Sequence, residues 1–299
     1  MRRPAIALLL LGAAVPGTAQ VVSKTVGQVT MSADLARGWP GGLIVARLRS
    51  RGRLGTSYAI LDGRRALFYE TARGPRALVP IPADATPGDN TLGIEIFTRH
   101  GRQRIPLDIT IPPREYAPRT VTIPETRRHL PEGPGLVTQA RQLLLLVRTE
   151  SKDALGSAGA LRPPVDAGPV AASFGALQSW VGGGAIESLT DSIFGERYRG
   201  LDYEVPTGSL VQAPAAGTVL FADYNALLGH MLVLDHGQGV VSVLAHLSRL
   251  DVLTADRVEA RTPIGLSGDS GIAYAPIVHW RVYLHGVPID PQVLTTNLD

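Results

Sequence analysis

Between residues 194 and 291 the chain places His230, His236, His246, His279 and His285, five of its seven histidines, together with Tyr198 and Asp202. Imidazole ligates metals and exchanges protons near neutral pH, and a carboxylate can do either beside it. Side chains alternate across a strand, so residues two apart share a face. From residue 277 to 285, Val278, Trp280, Val282 and Leu284 make an apolar face fit for a core. Ile277, His279, Arg281, Tyr283 and His285 make the opposite one, on which Ile277 is the apolar exception. His246 ends another strand, in which Ser242, Leu244 and His246 share a face. His236 reads as structural beside the Gly237-Gln238-Gly239 turn, His230 as a rim residue and His285 as a solvated hairpin residue. His100 and His129 lie outside this stretch without an assignable partner.

Three segments carry these groups: Tyr198-Arg199-Gly200-Leu201-Asp202, Val243-Leu244-Ala245-His246-Leu247-Ser248 and Ala275-Pro276-Ile277-Val278-His279-Trp280. They resemble the zinc endopeptidase domain of the lysostaphin/LytM type, whose members cut peptide cross-links in bacterial cell walls. The likeness begins near Ala171-Ala172-Ser173-Phe174-Gly175, runs through residues 208–219 and 234–239, and ends with Gly286-Val287-Pro288-Ile289-Asp290-Pro291. Such members carry a metal-binding His-x-Gly-x-Asp, a second-segment His and a His-x-His. The resemblance therefore implies Asp202 and His279 as metal ligands and His246 as a catalytic group. Tyr198 stands where the first ligand His belongs, and Ile277 where a second catalytic His is expected. Ile277 also reads as ordinary packing at a strand end. Ala275 replaces a glycine, and Arg281 an acidic residue, in the family's pattern.

A catalytic zinc needs about three protein ligands and an open position for water. Asp202 and His279 are one short. Tyr198 completes the set only as a phenolate, which requires the metal itself to drive off a proton with a free pKa near 10. Arg281 places a cation where it disfavours a nearby zinc ion. The expectation is weak or absent zinc and a catalytically impaired groove walled by Tyr198, Arg281 and Tyr283. That groove would bind peptidoglycan peptide, or a cell-wall hydrolase that it regulates. The alternative is an active zinc metalloendopeptidase using Asp202, His279, Tyr198 and His246; a purely structural module is the third reading.

The rest of the chain must position these groups. Arg2-Arg3, the apolar run from Ala5 to Leu11 and the small residues Gly17-Thr18-Ala19 read as a secretory signal over 1–19. The run is too short for a permanent membrane anchor, and export to the periplasm or cell envelope is expected. The chain has no cysteine, so no disulfide supports it. Residues 20–165 hold 21 basic and 12 acidic side chains; residues 166–299 hold 6 and 14. A basic front half can dwell near anionic envelope polymers or be a solvated surface. Without interleaved aromatic and basic residues, nucleic acid is not an expected partner.

The fold class is mainly β. Short β-rich runs at 43–48, 57–61, 66–69, 77–81 and 91–97 are broken by Asp62-Gly63, Pro87-Gly88-Asp89-Asn90 and His100-Gly101-Arg102. They predict an N-terminal Ig-like β-sandwich over 20–123 that spaces or docks. A linker over 124–168 carries one helix, Leu136 to Arg148, apolar nearly all round and so packed, most naturally at the interdomain face. The LytM-like domain takes 169–299.

Overall fold

The structure, a computed structural model, describes residues 21–98, 101–127, 135–152, 160–166, 168–181 and 197–298. The segment expected to be a secretory signal, His100 and His129 lie outside the described residues.

Eight strands form the front of the molecule: β1 (Val21–Val26), β2 (Val29–Asp34), β3 (Leu43–Ser50), β4 (Tyr58–Leu61), β5 (Arg64–Leu67), β6 (Arg76–Pro80), β7 (Gly88–Thr98) and β8 (Gly101–Ile111). They make two four-stranded antiparallel sheets, β1-β2-β3-β6 and β5-β4-β7-β8. Met31, Ile44 and Leu48 of one meet Leu92, Ile94 and Leu107 of the other in a shared core. Asp62 and Gly63 both have positive φ, 48° and 75°, as a tight hairpin turn between β4 and β5 requires. Gly88, Asp89 and Asn90, read from the sequence as a break, instead open β7, paired with Ile111, Thr110 and Ile109. That long hairpin partner supplies the backbone bonds that outweigh the turn-forming composition.

The sheets of the sandwich close at Ile111, short of the Ile123 limit expected from the sequence. The next strand, β9 (Arg119–Thr122), leaves the sandwich and pairs in parallel with β11 (Gln178–Val181), beyond α1 (Gly135–Leu146) and β10 (Val170–Ala172).

The remaining strands are β12 (Leu201–Glu204), β13 (Leu210–Gln212), β14 (Gly217–Asn225), β15 (Gly229–Gly237), β16 (Val240–Leu250), β17 (Arg257–Val258), β18 (Pro263–Ser267), β19 (Ile277–Leu284) and β20 (Val287–Ile289). With β10 they form a ten-stranded sheet along β10-β12-β19-β16-β15-β14-β17, with β13, β18 and β20 attached at its sides.

Both faces of this sheet are covered. Trp280, Val282 and Leu284 of β19 join Leu232, Leu234 and Leu244 in one core. That core also takes Leu43, Val45 and Leu78 from the front sandwich. β3 is therefore buried on two sides, Ile44 and Ala46 toward the sandwich and Leu43 and Val45 toward the large sheet. Burial on both faces accounts for its unbroken Leu-Ile-Val-Ala run. On the opposite face of the large sheet, Met231, Val233, Val241, Val243, Ala245 and Tyr283 cluster with Leu136, Leu143 and Val147 of α1 and its end. The apolar helix is thus packed, as its sequence demands. It rests on this sheet face instead of between the two domains, because Val243, Ala245 and Tyr283 leave an apolar floor there.

Candidate functional site

β19 sits between β12 and β16, and this register decides which groups meet. Asp202 lies opposite His279 across the β12–β19 ladder, and Ala245 lies opposite His279 on the other side. Directly opposed side chains lie about 5 Å apart at Cβ, so a carboxylate and an imidazole at one register position must interact. His279 Nδ1 is 2.6 Å from Asp202 Oδ1. Gly200 permits the approach of the preceding loop, since a Cβ there would come within 2.7 Å of both His279 Cε1 and the Trp280 carbonyl oxygen.

Tyr198, just before β12, donates its hydroxyl to Asp202 Oδ1 and lies 2.7 Å from His279 Nδ1. Tyr274 donates to Asp202 Oδ2 at 2.8 Å. Arg119, from β9, brings its guanidinium to 3.5 Å from the same oxygen. It stacks between the rings of Tyr198 and Tyr274, 4.9 Å and 4.7 Å from their centroids. On the far side of the imidazole, Arg281 Nε donates to His279 Nε2 at 2.5 Å. That bond fixes the tautomer: Nε2 accepts, so Nδ1 carries the proton and donates to Asp202.

The electrostatics follow from these contacts. Burial resists ionisation of Asp202, but hydrogen bonds from His279, Tyr198 and Tyr274 overcome it and bring its pKa to about 2. Burial and then the Arg281 charge push His279 down to about 4, so the imidazole is neutral at pH 7. Burial and the Asp202 charge raise the Tyr198 hydroxyl well above a phenol's usual value. The Tyr198 proton is held where it donates.

His246 also reaches this cluster, by a route that strand alternation does not give. Ser242 and Leu244 face the Trp280 side, where Ser242 Oγ accepts from Trp280 Nε1. His246 has φ 63°, at a register shift in the β15–β16 ladder, and its ring centre lies 6.0 Å from that of His279. The irregularity turns His246 onto the opposite face from Ser242 and Leu244, contrary to the alternation read from the sequence. Its Nδ1 donates to the Ser270 carbonyl at 2.8 Å.

Of the residues singled out from the sequence, Tyr198, Asp202, His246, His279 and Arg281 are brought together. Ile277 lies at the start of β19, 1% exposed, on the same strand face as His279. Tyr283 does not wall a groove. It is 1% exposed in the cluster beneath α1, because the helix covers that end of the sheet face. His285 is not solvated either: φ 50° folds it back so that Nδ1 meets Glu150 Oε1 at 2.8 Å. His236 bridges the Ala216 carbonyl and Ser242 Oγ at 2.9 and 2.8 Å, and His230 packs edge-on against Tyr224.

Arg119 and Tyr274 went unrecognised in the sequence. Arg119-Thr120-Val121-Thr122-Ile123 alternates as a short strand does, and that was the available signal for a strand at the end of the expected sandwich range. Nothing local to Tyr274 marks it.

As a metal centre, the donor set is incomplete and already engaged. Both oxygens of Asp202 accept hydrogen bonds, both nitrogens of His279 are partnered, and two guanidiniums flank the pair. Among the described residues no group of three or more His, Cys, Asp or Glu is placed to hold a metal ion. These residues do not fit a catalytic zinc.

Residues 196–291 match the sequence profile of Peptidase family M23. A solved structure of a putative peptidase M23 from Pseudomonas aeruginosa superposes with TM-score 0.64 at 25% identity, covering 89% of this chain and 97% of that one. Among curated proteins, peptidoglycan DD-endopeptidase ShyC of Vibrio cholerae serotype O1 is 27% identical over 134 residues, covering 45% of this chain and 29% of that protein. Murein hydrolase activator EnvC of Escherichia coli (strain K12) is 29% identical over 113 residues, covering 38% and 27%. The chain thus spans less than a third of the length of these curated relatives.

Proposed function

From the premise that the chain carries a peptidase family M23 domain, we propose that this domain is catalytically impaired and serves in the cell envelope as a binding or regulatory module. Its targets are peptidoglycan peptide or a cell-wall hydrolase. The observation that carries the reading is the closed network around Asp202. Tyr198 stands at an expected ligand position and donates its proton to Asp202, while Arg281 occupies the acceptor nitrogen of His279. A zinc ion would have to displace both contacts, shed a tyrosine proton held by burial, and sit beside two guanidiniums. Export is part of the proposal and is supported by the Arg2-Arg3 and Ala5–Leu11 pattern. The relatives support both branches of the target, since one is named a peptidoglycan endopeptidase and another a hydrolase activator.

The second reading, an active zinc endopeptidase, draws on the convergence of Tyr198, Asp202, His279 and His246 on one spot. Metal analysis of the purified protein together with digestion of insoluble peptidoglycan separates the two. The impaired reading requires substoichiometric zinc and no soluble cleavage products. Stoichiometric zinc, or cleavage abolished by His246→Ala, would establish the enzyme. A designed recovery sharpens the test. Tyr198→His with Ile277→His restores the missing groups, but zinc uptake is expected only when Arg281→Gln also lets Nε2 carry the ring proton, so that Nδ1, the His279 nitrogen facing Asp202, can ligate. Uptake by the double variant alone would show that Arg281 is no obstacle.

A further inference from the structure

The outward face of the β5-β4-β7-β8 sheet gathers cations around one carboxylate. Glu95 on β7 lies opposite Tyr58 of β4 and Arg104 of β8 in the ladders. Its side chain is 1% exposed, with Arg102 NH2 at 2.6 Å and Arg65 NH2 at 3.7 Å. Both arginines remain more than half exposed, at 55% and 56%, so most of their guanidinium N–H groups face solvent. Arg65 also lies over the Tyr58 ring, 5.4 Å from its centroid. Arg104 lies across Gly93, where a Cβ would come within 3.1 Å of its Nε; glycine lets that side chain lie flat on the sheet. At the β8 edge of this sheet, Lys24 of β1, a strand of the other sheet, donates its Nζ to the Pro106 carbonyl at 2.9 Å. Arg65, Arg102 and Arg104 thus gather around a single carboxylate, with Lys24 at the adjoining sheet edge. The acidic residues of the same hairpin, Asp89 and Asp108, lie toward its other end, beside Thr110 and Thr91.

Glu95 orients two of the arginines without neutralising the patch. Arginine forks pair bidentately with phosphate oxygens, and here they lie on one sheet surface, a roughly planar array. Phe97, 38% exposed, stands in register with Arg102, so an exposed apolar ring borders the cations. The halves of the chain are oppositely charged, basic before residue 166 and acidic after it. An anionic plane would therefore attract this sheet and repel the domain that carries the Asp202 site.

We propose that the outer face of the β5-β4-β7-β8 sheet, through Arg65, Arg102 and Arg104 and with Lys24 of β1 at its edge, docks the protein peripherally on an anionic phospholipid surface with its M23 domain directed away. A planar array suits a headgroup plane better than a flexible soluble polyanion, which needs no flat face.

Co-sedimentation of the full chain with phosphatidylcholine vesicles, with and without phosphatidylglycerol, tests this. Binding is expected only with phosphatidylglycerol and should weaken as salt rises. Each charge removed should weaken it about fivefold, so Lys24→Gln with Arg104→Gln should lose about 25-fold. That pair leaves the bonds to Glu95 intact, so an unchanged melting curve certifies the fold. Arg65→Gln, Arg102→Gln and Glu95→Gln together remove two of the guanidiniums without stranding a buried carboxylate, and, with a net loss of one positive charge, should lower binding about fivefold. Equal binding to both vesicle types, or undiminished binding by both variants, overturns the proposal. So does binding to soluble polyphosphate with none to vesicles, which would assign the face to a soluble polyanion.

Discussion

The core of the front sandwich and the layer around Asp202 are both sealed from water, but they are built from opposite materials. The sandwich core is apolar throughout, from Met31 and Ile44 to Ile94 and Leu107. The other layer buries Asp202, His246, His279 and Arg281 within a few ångströms of one another. Apolar burial is non-directional, roughly proportional to area and indifferent to pH. A buried polar cluster is stable only if every member is partnered, and then it depends on each one. The first region should tolerate change gradually, and the second should fail when a single partner leaves.

The largest expected effect is in the polar layer. Asp202→Ala strands Arg119 and deprives His279, Tyr198 and Tyr274 of their acceptor, and should cost about 3–5 kcal/mol in urea unfolding at pH 7. A neutral or stabilising outcome would mean that the cluster is dispensable, and the contrast between the regions would collapse. In the sandwich, Ile94→Ala should cost about 2–5 kcal/mol by leaving a cavity, with the same loss at pH 7 and pH 5. A loss that changes across that interval would show that titratable groups share in that core.

A smaller effect separates the regions by pH alone. His279 has a folded pKa of about 4 against an unfolded value of 6.5. The unfolded chain therefore binds more protons between those values. Its contribution to stability is fully present above about pH 6.5 and is lost as pH falls to about 4. His236, lowered by burial, acts in the same direction. Unfolding free energies taken across this window should fall with acidification, and His279→Gln should flatten the slope. A slope that persists unchanged in His279→Gln would place the titration elsewhere.

Strand period alone made part of this legible. The two faces of β19, the apolar identity of Trp280 and its partners, and the mainly β class follow from alternation and turn residues. The meeting of Asp202 with His279 was implied by the family resemblance and is realised by ladder register. Alternation misplaced His246, because one positive φ at a ladder irregularity reverses a side chain and leaves no mark in composition. Arg119 was out of reach for another reason. It lies 83 residues from Asp202, and only the parallel pairing of β9 with β11 brings its strand to the site. The burial of Tyr283 depended on where α1 would lie, and an apolar helix announces that it needs a floor without saying which one.

Arg37 binds Thr296 and the Asn297 carbonyl, and Arg47 binds the Leu298 carbonyl. These bonds join residues 259, 260 and 251 positions apart in the sequence. Loops that long must close before such contacts contribute anything, so they belong to the late steps of folding, and mixed domains rich in them fold slowly. Contacts absent from the transition state change the unfolding rate more than the folding rate. The seam between front sandwich and large sheet is therefore a kinetic latch, setting how long the native state persists more than how fast it is reached.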